Sequence, residues 1–301
     1  MAPKMSVFSL FLGSRLGAKI QAKGRKNSFL QAGPISIAFL TIAAVFSFSA
    51  NLWVAQDPGY QDLLFRLEPP FTEGEVANYL FGTDQLGRDV FSRLIYGGKI
   101  SFTVGLVTAT MAMLIGCVLG LIAAYFRGWQ EALILRIVDV QTAFPFLIVA
   151  IAIVSIVGAG LTTIIGTLIV WLWTPFARLA HAKSLTVKES EFYRAAISSG
   201  RSGFGLVFQH IVPNIVGSMM VVWTFVVAQT IIAESSMSYL GLGVPLSTPT
   251  WGSMLSEGRN YLETAWWIAL FPAIAIMLTV LCVNIFGDWL SDRIDPQTKE
   301  I

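Results

Sequence analysis

The sequence predicts an all-α integral membrane protein with six transmembrane helices, on three observations. Hydrophobic residues make up 55% of the 301-residue chain and charged residues only 13%, against roughly 25% charged in an ordinary soluble domain. The deficit is concentrated in stretches without Lys, Arg, Asp or Glu, at residues 27–56, 100–126, 140–177, 202–233 and 264–287. A helix needs roughly 20 residues to cross the hydrocarbon core of a bilayer, and all but one of these stretches suit a single crossing. The third is nearly twice as long and carries Gly158-Ala159-Gly160 at its middle, where glycine admits a tight turn at positive φ, so it reads as a helical hairpin. A soluble helix bundle does not fit, because its helices are rarely apolar on every face.

In order along the chain, the spans are expected over residues 35–55, 100–126, 133–157, 161–180, 213–234 and 265–287. Residues 1–34 form a basic N-terminal segment with Lys4, Arg15, Lys19, Lys23, Arg25 and Lys26 and no acid. That bias, and the excess of Lys and Arg in the other segments on the same side, places both termini in the cytoplasm. No small-residue cleavage site follows the first apolar run, which therefore reads as an uncleaved anchor. Residues 35–99 hold the first span and an outer loop, residues 100–287 a five-helix core, and residues 288–301 a cytoplasmic tail. Pro145, Pro175 and Pro272 each fall inside a span. Each removes a backbone hydrogen bond and predicts a kink, so the three are candidate pathway or gating positions. The outer loop over 235–263, with GLGVPLSTPTWGSML, reads as irregular. Asp139 and Glu234 fall near span ends, at the interface; Glu234 is also a candidate pathway residue, because intramembrane acids mark such routes.

Several functions find no support. Cys117 and Cys282 both lie within spans and read as packed apolar side chains, neither metal ligands nor a disulfide. His181 and His210 fall at inner helix ends with no serine aimed at either, which argues against an intramembrane protease, since general-base work needs hydrogen-bond reach. A stand-alone secondary transporter or channel is the alternative to a subunit of a larger machine, but paired intramembrane acids and an inverted repeat are not evident. Nucleic-acid binding has no basis in the charge distribution.

The inner segment over residues 181–213 contains EFYRAAISSGRSGFGLVFQHIVP. Thr186-Val187-Lys188-Glu189 has capping-box spacing and predicts a helix start. A helix from there puts Phe192, Ala195, Ala196 and Ser199 on one face. Gly200 is placed to end it, with Arg201-Ser202-Gly203 as the turn. A second short helix carries Phe204, Val207, Phe208 and Ile211, and Pro213 opens the following span, where a missing N–H is harmless. A narrow, small-residue face flanked by aromatics suits a groove on another protein.

This stretch resembles the EAA loop of permease subunits in ABC importers, whose pattern is E-A-A, three residues, G, nine residues, I-x-L-P. Ala195, Ala196, Gly200 and Pro213 match at that spacing. Arg194 stands where the family has Glu, with Glu191 one turn earlier; His210 and Val212 replace Ile and Leu. GTDQLGRDVFSRLIYGGKIS, residues 82–101, resembles the GTDxxGRDxxSRxxxG signature of the C-type permease in dipeptide, oligopeptide and nickel importers. SYLGLGVPLSTPTWGSML and NIFGDWLSDRIDP are similar to that family too. The resemblance covers residue 35 to the end.

It implies a type I ABC importer permease whose coupling-helix loop lies between the fourth and fifth spans in the bacterial inner membrane. Glu191, Arg194, Ala195, Ala196, Gly200 and Pro213 would then contact an ATPase. The implied partners are a homologous B-type permease, two cytoplasmic ATPase subunits, a periplasmic or lipid-anchored solute-binding protein, and membrane lipid. The implied solutes are peptides, nickel chelates, opines or sugar conjugates. No G-x-x-x-x-G-K-[ST] phosphate loop is present, so ATP and Mg are expected on the ATPase subunits, with no cofactor or catalytic residue on this chain. Gly82, Thr83, Asp84, Gly87, Arg88, Asp89, Ser92 and Arg93 form the outer-loop motif. It reads as a brace or a contact for the binding protein, with Arg93 placed to pair with Asp89 along a helix; direct solute binding by Asp84, Arg88 or Asp89 is the sharper alternative.

Overall fold

The computed structural model describes residues 32–54, 56–74, 78–201, 203–245 and 247–294. Most of the basic segment expected over 1–34, Ser202 of the expected inner turn, and the end of the tail expected over 288–301 lie outside the described residues. Helices dominate. Val90–Phe126, Leu161–Glu189, Phe204–Tyr239 and Trp267–Ile294 are long and apolar enough to cross a bilayer. Gly128–Ala143 and Phe146–Val157 meet the same test only together, and they are bent by 94°. Ala32–Phe48 is apolar but shorter.

In chain order the helices are α1 (Ala32–Phe48), α2 (Ala50–Trp53), α3 (Val90–Phe126), α4 (Gly128–Ala143), α5 (Phe146–Val157), α6 (Leu161–Leu172), α7 (Thr174–Glu189), α8 (Glu191–Ser198), α9 (Phe204–Leu206), α10 (Val212–Tyr239), α11 (Trp251–Gly258) and α12 (Trp267–Ile294). A small antiparallel hairpin, β1 (Thr72–Glu73) on β2 (Asn78–Tyr79), pairs Thr72 with Tyr79.

The α5–α6 hairpin turns where the glycines predict it. Gly158 has φ +95° and α6 begins at Leu161. Elsewhere the boundaries move. The second span starts at Val90 rather than near residue 100, because Asp89 caps it by accepting from the Phe91 and Ser92 N–H groups, satisfying donors a helix start leaves unpaired. The expected capping box at Thr186 does not form. Helix α7 runs through to Glu189, and Thr186 Oγ1 donates to the Ala182 carbonyl at 3.2 Å instead.

Proline does different work at each position. At Pro145 the chain breaks instead of kinking: α4 ends at Ala143 and Pro145 sits in extended conformation before α5. Beside the break, polar side chains of α4 turn to α7, Glu131 to His181 at 2.6 Å and Asp139 to Arg178 at 2.8 Å, while Gln141 accepts from Trp173 Nε1 at 3.1 Å. Pro175 lies in the first turn of α7, and Pro272 is buried inside the unbroken α12. Pro213 sits in the first turn of α10, where the sequence puts it. It lies in a continuous stretch from Phe204 to Tyr239 with a π turn over Val207–Ile211. There the Val212 N–H donates to the Val207 carbonyl, five residues back, a wider register that gives the proline ring room.

Helix α3 is the centre of the bundle, packed on α4, α6, α7 and α10. Its seam with α7 depends on missing side chains. A Cβ added at Gly116 would sit 2.3 Å from the Trp173 carbonyl oxygen, and one at Gly120 2.4 Å from that of Ala177. Small residues four apart let helix backbones approach in this way. Helix α1 uses the same device: Gly33 lies under the Trp289 ring of α12, and Gly98 of α3 lies against Ser47. The bundle thus has two ends. The start of α3, the end of α10, α11 and the start of α12 meet at one; the ends of α3, α7 and α12, with α8 and α9, meet at the other.

Candidate functional site

At the second end lies the segment singled out by sequence. Ser190 is extended (φ −68°, ψ 150°) and separates α7 from α8. Tyr193 turns inward and is buried in the main core cluster. Burial pushes its phenol above the usual tyrosine range. Glu191, Phe192, Arg194, Ala195 and Ser199 are exposed, while Ala196 is half-buried. The outward face is therefore a shallow alanine and serine surface beside Phe192, whose ring lies 6.3 Å from that of His210.

The helix ends sharply at Gly200, φ +83°. The Gly200 N–H donates to the Ile197 carbonyl at 2.9 Å and the Arg201 N–H to the Ala196 carbonyl at 3.2 Å. This paired closure satisfies otherwise orphaned carbonyls and requires a left-handed residue. Gly203, φ +69°, reverses the chain again into α9. Arg201 Nη1 donates to Gln209 Oε1 at 2.5 Å across the turn. Pro213 is exposed beyond it.

The opposite end holds the outer-loop motif as one knot. Gly82 (φ +75°) and Gly87 (φ +70°) turn the chain so tightly that an added Cβ would lie 2.6 Å from the Glu68 carbonyl oxygen and 1.7 Å from that of Asp62. Thr83 Oγ1 donates to the Phe65 carbonyl at 2.5 Å and accepts from the Glu68 N–H at 2.8 Å, and its own carbonyl accepts from Trp267 Nε1 at 3.0 Å. Asp84 Oδ2 meets Arg88 Nε at 2.6 Å and Arg93 Nη1 at 3.5 Å. Both arginines also reach Glu257 of α11, Arg88 at 2.7 Å and Arg93 at 2.9 Å.

Two guanidinium groups and two carboxylates are thus closed into a buried, charge-balanced quartet. Arg93 does not pair with Asp89 as its spacing suggests. Asp89 is spent as the cap of α3, with Ser92 Oγ also donating to it, and burial raises its carboxyl above the usual aspartate range. Glu257 was missed by sequence reasoning. The signal was available in the bookkeeping of the motif: once one of its two acids caps a helix, its two arginines lack an acid.

Glu234 is buried within the bundle. Because α10 continues to Tyr239 and α11 folds back over it, with Gly252 packed on Ser235, Glu234 is 1% exposed. Ser238 Oγ donates to its Oε1 at 2.8 Å and Ser101 Oγ of α3 to its Oε2 at 3.5 Å. The loop expected to be irregular over 235–263 contains α11, opened by a true capping box between Thr250 and Ser253. Glu234, Pro145, Pro175 and Pro272 lie on or between different helices. Among the described residues, no group of three or more His, Cys, Asp or Glu side chains is placed to hold a metal ion.

Comparison with known proteins places the chain in a lineage. The family model for the binding-protein-dependent transport system inner membrane component matches residues 116–300, more than half of the chain. The chain is 39% identical over 250 residues to the di/tripeptide transport system permease protein DppC of Pseudomonas aeruginosa, covering 82% of each. It is 39% identical over 227 residues to the glutathione transport system permease protein GsiD of Pectobacterium atrosepticum, covering 75% of each. It is also 35% identical to the dipeptide transport system permease protein DppC of Alkalihalophilus pseudofirmus, over 91% of this chain and 88% of that one. Among solved structures, a chain of the inward-facing MetNI methionine ABC transporter superposes with a TM-score of 0.56 at 17% identity, over 68% of this chain and 97% of that chain; that likeness concerns the fold.

Proposed function

The chain belongs to the family of binding-protein-dependent transport system inner membrane components, and on that premise we propose that it is the permease subunit forming half of the translocation pathway of an ATP-driven importer for peptides or closely related solutes. It crosses the bacterial inner membrane six times, with α1 and the broken α4–α5 pair completing the set begun by the four long apolar stretches. Both termini face the cytoplasm, as does the segment over residues 181–213. A homologous permease supplies the other half of the pathway, two ATPase subunits drive it, and an extracytoplasmic binding protein delivers the solute. ATP and Mg belong to those ATPase subunits.

The observation that carries this reading is the exposed, sharply terminated α8. Glu191, Arg194, Ala195 and Ala196 offer its docking surface, Gly200 stops it, and Pro213 begins the return into the membrane. In this scheme nucleotide-driven closure of the ATPases displaces α8, and the bundle answers because one arrangement is favoured over the other by ATP and by the loaded binding protein. The quartet of Asp84, Arg88, Arg93 and Glu257 braces the opposite end; its acids and arginines are buried and paired with one another, which favours bracing over solute binding.

Ala195→Asp tests the assignment. A carboxylate pressed into a protein groove without a partner is disfavoured by several kcal/mol, so uptake is lost while membrane insertion and complex assembly persist. Normal uptake by an assembled Ala195→Asp complex contradicts the docking role of α8.

A further inference from the structure

We propose that Lys188 is a positioning residue that ties the docking segment to the end of α3, so that α3 carries displacement from α8 to the outer brace. The inference rests on the docking reading of α8 and adds the route by which its motion leaves it. The last carbonyls of a helix have no intrahelical partner and sit at the negative end of its dipole. At the end of α3 one of them is met from another helix: Lys188 Nζ donates to the Ala124 carbonyl at 2.6 Å. The same ammonium lies 5.6 Å from the centre of the Tyr125 ring, within the range of a cation–π attraction. Tyr125 stacks on Phe204 at the start of α9, with centroids 5.4 Å apart and planes at 12°. It also packs against the cluster that holds Tyr193 and Leu206.

Lys188 occupies the last turn of α7, two residues before the extended Ser190. One side chain and one ring therefore join the ends of α3 and α7 to both arms of the α8–α9 elbow.

Helix α3 is suited to act as a rod. It has 37 residues, about 55 Å at 1.5 Å per residue. The close Gly116 and Gly120 contacts hold it rigidly to α7 along the way. At its far end Asp89 caps it and Arg93 grips Glu257 of α11. A shift at Ala124 is thereby delivered to the ion-paired brace.

The same rod, followed in the other direction, carries the effect of the binding protein inward to the ATPases. That direction needs no knowledge of the solute. In the intact complex reconstituted in nanodiscs, ATP hydrolysis is measured with and without the purified cognate binding protein. Lys188→Met retains the aliphatic stem and removes the ammonium. The expected result is a basal rate like that of the unaltered complex with most of the stimulation lost, and recovery in Lys188→Arg, which keeps a donor for the Ala124 carbonyl.

Unchanged stimulation in Lys188→Met overturns the proposal, as does an equal loss in Lys188→Arg. If Lys188→Met fails to assemble, Tyr125→Leu takes its place, and unchanged stimulation there overturns the joint equally. Cross-linking from Ala195→Cys to an ATPase in the otherwise unaltered complex separates the two claims. Capture with normal stimulation in the variants sinks the Lys188 joint alone, and absence of capture sinks the docking reading beneath it.

Discussion

Glu257 shows how much one distant residue decides. It stands 164 positions from Arg93, yet two buried guanidinium groups depend on it. Removing one partner of a buried ion pair strands charge in a poor solvent and costs about 3–5 kcal/mol. Glu257→Ala is therefore expected to lower the thermal midpoint of the detergent-solubilised protein by several degrees, and Glu257→Gln, which keeps the shape but not the charge, by less. An unchanged midpoint in both contradicts the quartet. The sequence made the 82–93 motif legible as a charged outer cap, because its two glycines and alternating Asp and Arg crowd into so few positions. It could not show that Asp89 would be consumed as the cap of α3, nor that α11 would bring Glu257 across to Arg93. Glu234 illustrates the same limit: its burial follows from α11 folding over α10, a tertiary event invisible in local pattern.

At the scale of elements, the charge-free apolar runs located the four long apolar helices and glycine located the α5–α6 turn, since both are properties of a few consecutive residues. Boundaries and bends were less legible because partners decide them. Nothing local distinguishes a kink at Pro145 from a 94° break; the pairs Glu131–His181 and Asp139–Arg178 hold α4 against α7. Likewise the spacing at Thr186 suggested a start, but Lys188 found the end of α3 and α7 continued. The α3–α7 seam gives a sharp test. Gly120→Val places side-chain atoms where an ideal Cβ already lies 2.4 Å from the Ala177 carbonyl oxygen, and overpacking of this kind costs about 1–3 kcal/mol or more. Gly205→Ala in α9 meets nothing within 4 Å and removes a flexible residue from a helix, a change worth a gain of about 0.4–1 kcal/mol. Stability measured by denaturation in mixed micelles is expected to fall for the first and hold or rise for the second. The reverse order contradicts the seam.

The whole molecule is a bundle with a locked end and a presented end. One is closed by the buried quartet and the Trp267–Thr83 bond, and the other offers α8. The coupling role proposed for this chain needs both: a frame to move and an exposed handle to move it by. Composition reveals the apolar helices of the frame, and the alanine, glycine and proline spacing singles out the segment proposed as the handle, because each is written in residue types. The joint at Lys188 is not, because Ala124 and Tyr125 are ordinary helix residues until the fold brings them to it. The most direct measurement is site-specific cross-linking in intact cells from Ala195→Cys on α8, with Leu64→Cys on the outer segment as control. The account predicts that Ala195→Cys captures a cytoplasmic ATPase subunit, with a yield that changes on ATP depletion, and that Leu64→Cys captures none. Labelling of Ala195→Cys by a membrane-impermeant thiol reagent added outside the cell, with no ATPase captured, contradicts it.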